Sequence, residues 1–146
     1  AVRAEDGGID RKVLGGMVFG EPEALQQLTD IVWPEIRLLA AAQTQSLLKD
    51  DPNAIVILEA AVLFEAGWED IGDATWVVMT EPEVASTRAM ARDGLTREAI
   101  EKRLSSQLSN TDRAARADLV IENNTLEADF LAALDAAWLG IAPVKD

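Results

Sequence analysis

Apolar residues along the chain fall into two alternating patterns. Helical spacing dominates residues 13–48, where Val13, Leu14, Met17 and Val18 form one stripe and Leu25, Leu28, Ile31 and Val32 form another. Asp10 is placed to cap the first helix, which should run through Phe19 and stop at Gly20. Pro22 suits the first turn of the next helix. Pro34 should break or kink that helix just after Trp33, with a second helix carrying Ile36, Leu38, Leu39 and Ala42 to about Leu48. Residues 1–8 are small and polar and are expected to be loose. After the turn signal Asp51-Pro52-Asn53, the pattern changes to Ala54-Ile55-Val56-Ile57-Leu58, a continuous apolar run that reads as a strand buried on both faces. Thr75-Trp76-Val77-Val78-Met79 and Asp118-Leu119-Val120-Ile121 read the same way. Between the strands lie a short helical stretch around 64–71, a helix opened by a Thr80/Glu83 capping box and closed at Gly94, and a helix capped by Thr96 with Leu95 and Ile100 as a staple. Asn124 with Glu127 should cap a last helix bearing Leu126, Phe130, Leu131, Leu134 and Trp138. Strands that alternate with helices predict an α/β fold built on a parallel sheet.

Length and composition narrow the function. A chain of 146 residues fits a single domain over 1–146, and with 49% hydrophobic residues it can bury a sizeable core. Its formal net charge of −13 argues against nucleic acid or an anionic membrane as partner. No apolar run approaches the ~18 residues of a membrane span. The chain holds neither cysteine nor histidine, which removes disulfides, thiolate metal sites, His-based triads and an imidazole base. Trp33, Trp68, Trp76 and Trp138 read as core or core-edge residues.

Against this acidic background, residues 88–116 reverse sign. Seven basic side chains (Arg88, Arg92, Arg97, Lys102, Arg103, Arg113, Arg116) face four acidic ones, a local net of +3 in a chain whose remainder carries −16. Such an island suits a small anion. Arg88 and Arg92 stand one helical turn apart, and a guanidinium fork donates two parallel bonds to a phosphate. A solvated helix face with pairs such as Glu98–Lys102 would look the same from spacing alone. Glu59 follows the first apolar run, at the carboxyl end where an acid can orient Mg²⁺ through water. A solvated strand end is the plainer reading of that glutamate. The loop G-x-x-x-x-G-K-[ST] is absent from these residues, and Gly15-Gly16 sits inside a helical pattern with no Lys or Ser/Thr to follow.

Six segments in order resemble the dephospho-CoA kinase family. They are Ile9-Asp10-Arg11-Lys12-Val13-Leu14-Gly15 with Phe19-Gly20; Leu28-Thr29-Asp30-Ile31-Val32-Trp33-Pro34-Glu35-Ile36; Glu59-Ala60-Ala61-Val62-Leu63-Phe64-Glu65-Ala66-Gly67-Trp68; Arg88-Ala89-Met90-Ala91-Arg92-Asp93-Gly94-Leu95-Thr96; Arg103-Leu104-Ser105-Ser106-Gln107; and Ala117-Asp118-Leu119-Val120-Ile121-Glu122-Asn123-Asn124. Trp33 stands where most bacterial members have His, as in the kinase domain of animal bifunctional CoA synthase. The resemblance implies a P-loop nucleoside-kinase-like parallel sheet with a helical lid over about 88–116. It also implies that the family's phosphate-binding loop and central strand belong to a segment preceding Ile9, so that the chain is incomplete at its N-terminus and inactive by itself. The reaction implied is transfer of the γ-phosphoryl of ATP, with Mg²⁺, to the ribose 3′-hydroxyl of dephospho-CoA. Arg88 and Arg92 would act catalytically on phosphates. Arg11, Leu63, Phe64 and Glu65 would meet dephospho-CoA, while Arg103, Gln107 and Asn123 would serve the ATP side. A cytoplasmic location is implied, or a mitochondrial one in a eukaryote. A non-catalytic remnant completed by another chain is the alternative.

Overall fold

The computed structural model describes residues 2–18, 20–105 and 107–140, so the expectations that involve Phe19 and Ser106 lie outside the described residues. The chain divides into two compact units, Ala1–Glu59 and Ala60–Asp146.

The first unit is helical. Its opening segment is ordered rather than loose. Arg3 and Ile9 form an antiparallel bridge, and the Asp6 carboxylate accepts the Gly8 N–H at 2.9 Å to hold the turn between them. Asp10 caps as expected, its Oδ1 accepting the N–H groups of Lys12 and Val13 at 3.0 Å each, and α1 runs Arg11–Val18. Pro22 then begins α2, which continues unbroken from Pro22 to Asp50. Of the break or kink expected after Trp33, the break and the separate second helix are therefore corrected. Pro34 removes one i→i−4 hydrogen bond, but the bonds on either side carry the 29-residue helix past it. The second correction concerns residues 54–58, which join no ladder among the described residues. A strand exists only where a neighbour takes up its N–H and C=O groups. The apolar run records the capacity to be buried, yet Ile57 is 75% exposed.

The second unit holds the sheet. Strand β1 (Trp76–Met79) pairs in parallel with β2 (Leu119–Glu122), with Trp76 opposite Leu119 and Met79 opposite Glu122. Among the described residues this is a two-stranded sheet, where three strands were expected. Parallel neighbours need a crossover. Here it comprises α3 (Pro82–Asp93), α4 (Arg97–Ser105) and α5 (Asn110–Arg116), and α6 (Glu127–Leu139) follows β2. Helix α5 packs on β1, α6 on β2, and α3 on α4. Phe64, Trp68, Val77, Ile100 and Ile121 are buried and form the apolar centre. Residues 62–68 make tight turns before a 3-10 turn at Glu69–Ile71, and Gly67 supplies the left-handed backbone there with φ +66°.

Two capping expectations held and two did not. Thr96 Oγ1 accepts the Ala99 N–H at 3.3 Å, and Gly94 (φ +64°) ends α3 in the left-handed conformation. Thr80 makes no capping box. Its hydroxyl donates to the Asn123 carbonyl at 3.4 Å, and Glu83 instead receives Arg97. Nor does Asn124 cap α6, because its Oδ1 accepts the Glu81 N–H at 2.7 Å across the sheet end. In both cases a partner 43 residues away displaces the local one.

Candidate functional site

Ligands in parallel sheets meet the carboxyl ends of the strands. In this chain those ends are Met79-Thr80 and Glu122-Asn123, held together by the Asn123 N–H bond to the Met79 carbonyl at 2.7 Å. Arg88 reaches this place from α3. One of its terminal nitrogens donates to the Asn123 backbone oxygen at 2.8 Å and to Asn123 Oδ1 at 3.1 Å, and the other donates to the Thr125 carbonyl at 3.1 Å. Two residues singled out separately from sequence, 35 positions apart, are thus in direct contact. A shallow depression lined by Glu83, Val84, Thr87 and Arg88 lies along the same helix.

Arg92, one turn further along α3, is 78% exposed at its side chain and forms a two-pronged pair with Asp93, at 2.7 and 2.9 Å. Those hydrogen bonds hold the Asp93 carboxyl below its usual range, and the Arg103 charge lowers it further. Asp93 in turn raises Arg92. The carboxylate presents to Arg92 the same planar pair of oxygens that a phosphate would. Arg92, Asp93 and Arg103 therefore form one charged group beside the αL turn at Gly94.

A second cluster gathers around the 63–65 turn. Phe64 is buried, with the Arg116 guanidinium 4.7 Å from its ring centroid, while Leu63 and Glu65 are half-buried. Glu65 Oε1 accepts the Leu108 N–H at 3.1 Å and Arg113 at 3.0 Å. Burial by itself would raise the Glu65 carboxyl. The backbone bonds from Leu108 and from its own N–H, together with Arg113, outweigh that and hold it below the usual carboxylate range. Its Oε2 is buried with no hydrogen-bond partner among the described residues. Gln107 Oε1 accepts from the same Arg113 nitrogen at 3.3 Å. Arg116 also pairs with Glu69 and donates to the Phe64 carbonyl at 3.3 Å. Asn110, at the start of α5, donates to the Thr80 carbonyl at 3.0 Å and so links this cluster to the end of β1.

Arg88 with Asn123, Arg92 with Arg103, and Leu63, Phe64, Glu65 with Gln107 are each brought together inside the second unit. Arg11 opens α1 and Glu59 ends the first unit, both exposed. Sequence reasoning gave no role to Asn110 or Thr125, read Asn124 only as a helix cap, and counted Arg113 and Arg116 only within the basic island. Arg113 and Arg116 had one usable signal, since i,i+3 spacing puts both on one side of a helix. The helix itself was legible in Ser109 and Asp112, because Ser109 caps α5 by accepting the Asp112 N–H.

The dephospho-CoA kinase family model matches residues 1–129. The chain belongs to the dephospho-CoA kinase family. A dephospho-CoA kinase of Geobacter sulfurreducens is 38% identical over 133 residues, covering 91% of this chain and 67% of that relative. Across three such curated dephospho-CoA kinases the chain spans 67%, 55% and 63% of their lengths. Among solved structures, a Thermus thermophilus protein superposes with a TM-score of 0.75 at 33% identity, covering 97% of this chain and 72% of that one. A dephospho-CoA kinase from Campylobacter jejuni gives 0.67 at 33% identity, covering 97% and 69%. The P-loop kinase fold expected from sequence is therefore the fold of this dephospho-CoA kinase family chain.

Proposed function

We propose that the chain supplies the lid and acceptor loop of an enzyme that moves the γ-phosphoryl group of ATP to the ribose 3′-hydroxyl of dephospho-CoA, yielding ADP and coenzyme A. The observation that carries this reading is the Arg88–Asn123 contact, which joins a lid cation to the loop assigned to the ATP side. The acceptor oxygen belongs to the substrate, so the transfer needs no enzyme Ser, Cys or His. It needs placement and neutralised charge. Arg88 fixes the Asn123 loop and keeps its cation at the sheet end. Arg92 exchanges Asp93 for phosphate oxygens, with Arg103 and Gln107 carried on the same lid. Leu63, Phe64 and Glu65 border dephospho-CoA. Arg11 is assigned a part in binding dephospho-CoA on the family likeness of its Ile9–Gly15 segment alone.

Mg²⁺ is the metal such chemistry uses. No three acidic side chains gather into a metal site among the described residues, so the chain does not by itself build a cage for it. Mg²⁺ in phosphoryl transfer rests largely on phosphates and water. Glu59 is assigned no more than a contact through water. No helix among the described residues is long and apolar enough to cross a membrane. A cytoplasmic setting is proposed from the family likeness.

The test is ATP-dependent phosphorylation of dephospho-CoA, measured for these 146 residues and for the complete gene product. We expect turnover by the gene product and background rates for the 146 residues, which contain no P-loop. Full turnover by the 146 residues alone would overturn the requirement for that loop. A gene product that binds neither ATP nor dephospho-CoA would overturn the kinase reading.

A further inference from the structure

The two arginines of α5 grip the 63–69 segment from one side. Arg113 holds Glu65 at 3.0 Å, while Arg116 lies over the Phe64 ring, pairs with Glu69 and donates to the Phe64 carbonyl. Neither partner of the Arg113–Glu65 pair is at the open surface, with side chains 21% and 19% exposed. Breaking a half-buried pair leaves a charge without compensation, so this contact is stiffer than the surface pairs of α3 and α4. The carboxylate also leaves a rigid platform. The Ala66 N–H bonds the Val62 carbonyl at 2.9 Å, and the Trp68 N–H bonds the Leu63 carbonyl at 3.0 Å. From that platform one oxygen, Oε1, receives both the Leu108 N–H and Arg113, while Arg113 holds Gln107 as well. Residues 107 and 108 are where the chain leaves α4 and turns into α5, at the base of the lid.

We propose that Arg113, acting through Glu65, is a positioning residue that fixes the acceptor loop against residues 107–108 and so sets affinity for dephospho-CoA more strongly than affinity for ATP. The inference deepens the kinase reading and rests on its assignment of residues 63–65 to the acceptor. Its geometry separates the two substrates. Glu65 bonds Leu108 and Arg113 and none of the side chains assigned to ATP, Arg113 bonds Gln107 as well, and the Asn123 loop is fastened by Arg88 and Asn124.

The variants are Arg113→Met, Arg113→Lys and Glu65→Gln, made in the complete gene product. The measurements are KM for each substrate, kcat, and calorimetric titration of dephospho-CoA and ATP. A loop that the substrate must itself reorder lowers apparent affinity by the fraction of molecules that hold it correctly, so a fall to about one in ten costs about tenfold. Glu65→Gln should therefore raise KM and Kd for dephospho-CoA by about tenfold and leave those for ATP within about twofold, while Arg113→Met, which also releases Gln107, should match that loss for dephospho-CoA and add a smaller one for ATP. Arg113→Lys keeps a cation facing Glu65 and should recover most of the loss. A residue that merely stabilised the fold would lower the yield of folded protein and affect both substrates alike. Equal loss for both substrates, or no loss for dephospho-CoA in Glu65→Gln, would overturn the proposal. Absence of dephospho-CoA binding by the unsubstituted protein would instead remove the acceptor assignment, and this inference with it.

Discussion

Replacing Arg88 by alanine removes three hydrogen bonds at once, two to Asn123 and one to the Thr125 carbonyl. A hydrogen bond from a charged donor contributes about 1.5–3 kcal/mol net, but the guanidinium is exposed, and exposed ionic contacts fall to about 0–1 kcal/mol each. Three such contacts give roughly 2 kcal/mol, or about thirtyfold in the equilibrium between the fastened and released loop. Two backbone amides report on that loop. The Asn123 N–H bonds the Met79 carbonyl, and the Glu81 N–H bonds Asn124 Oδ1. Native-state hydrogen exchange at Asn123 and Glu81 should accelerate by about thirtyfold in Arg88→Ala, while Val78 and Ile121, inside the β1–β2 ladder, keep their protection. ATP affinity in the complete gene product should fall by a comparable factor, because the nucleotide must then reorder the loop itself. Arg92→Ala is the control, since Arg92 bonds Asp93 rather than the loop, and exchange at Asn123 should not change. Wild-type exchange at Asn123 and Glu81 in Arg88→Ala would refute the reasoning, because the loop would then be held by something other than Arg88.

Further expectations concern stability. The folded state depresses the Glu65 carboxyl below its usual 4.5, so its contribution is fully present above that pH and is lost as pH falls through the lower folded value. Thermal melts below pH 4.5 should show a shallower acid decline for Glu65→Gln than for the parent, and equal slopes would count against the Arg113 pairing. Gly94→Ala places a Cβ in open space but forces φ +64° on an L side chain, and chemical denaturation should register a loss of about 1–2 kcal/mol. Ser109→Ala deletes the cap that accepts the Asp112 N–H and should cost about 1 kcal/mol in the same assay.

Much of the second unit is legible in its sequence because the signals there are local. Val77-Val78 and Val120-Ile121 are β-branched runs that found each other as neighbours, and Thr96 and Gly94 sit beside the helix ends they govern. The misreadings share one cause. Thr80 and Asn124 each carry a side chain fit for capping, but folding places each next to a backbone group 43 residues away, and a pattern confined to four residues cannot show that competition. Ile55 to Leu58 have strand composition without a paired neighbour among the described residues, since hydropathy encodes burial and says nothing about which ladder supplies it. At Pro34 the proline rule forecast a lost bond correctly and overestimated its consequence in a helix of 29 residues.

The basic island marked residues 88–116 as a site but not how its cations divide the work. In the fold they separate by partner. Arg88 is committed to backbone carbonyls, which cannot be neutralised by protonation, so its grip on the Asn123 loop is independent of pH across the carboxylate range. Arg113 and Arg116 are committed to carboxylates and to the Phe64 ring, and so tie the 63–69 segment to α5. Arg92 faces only a neighbouring aspartate in the open, a contact that a dianionic phosphate can displace at little cost because an exposed pair holds so weakly. A cation meant to meet an incoming phosphate has to be held but not spent, and by that criterion Arg92 is the arginine of the lid best placed to move its fork from protein to substrate.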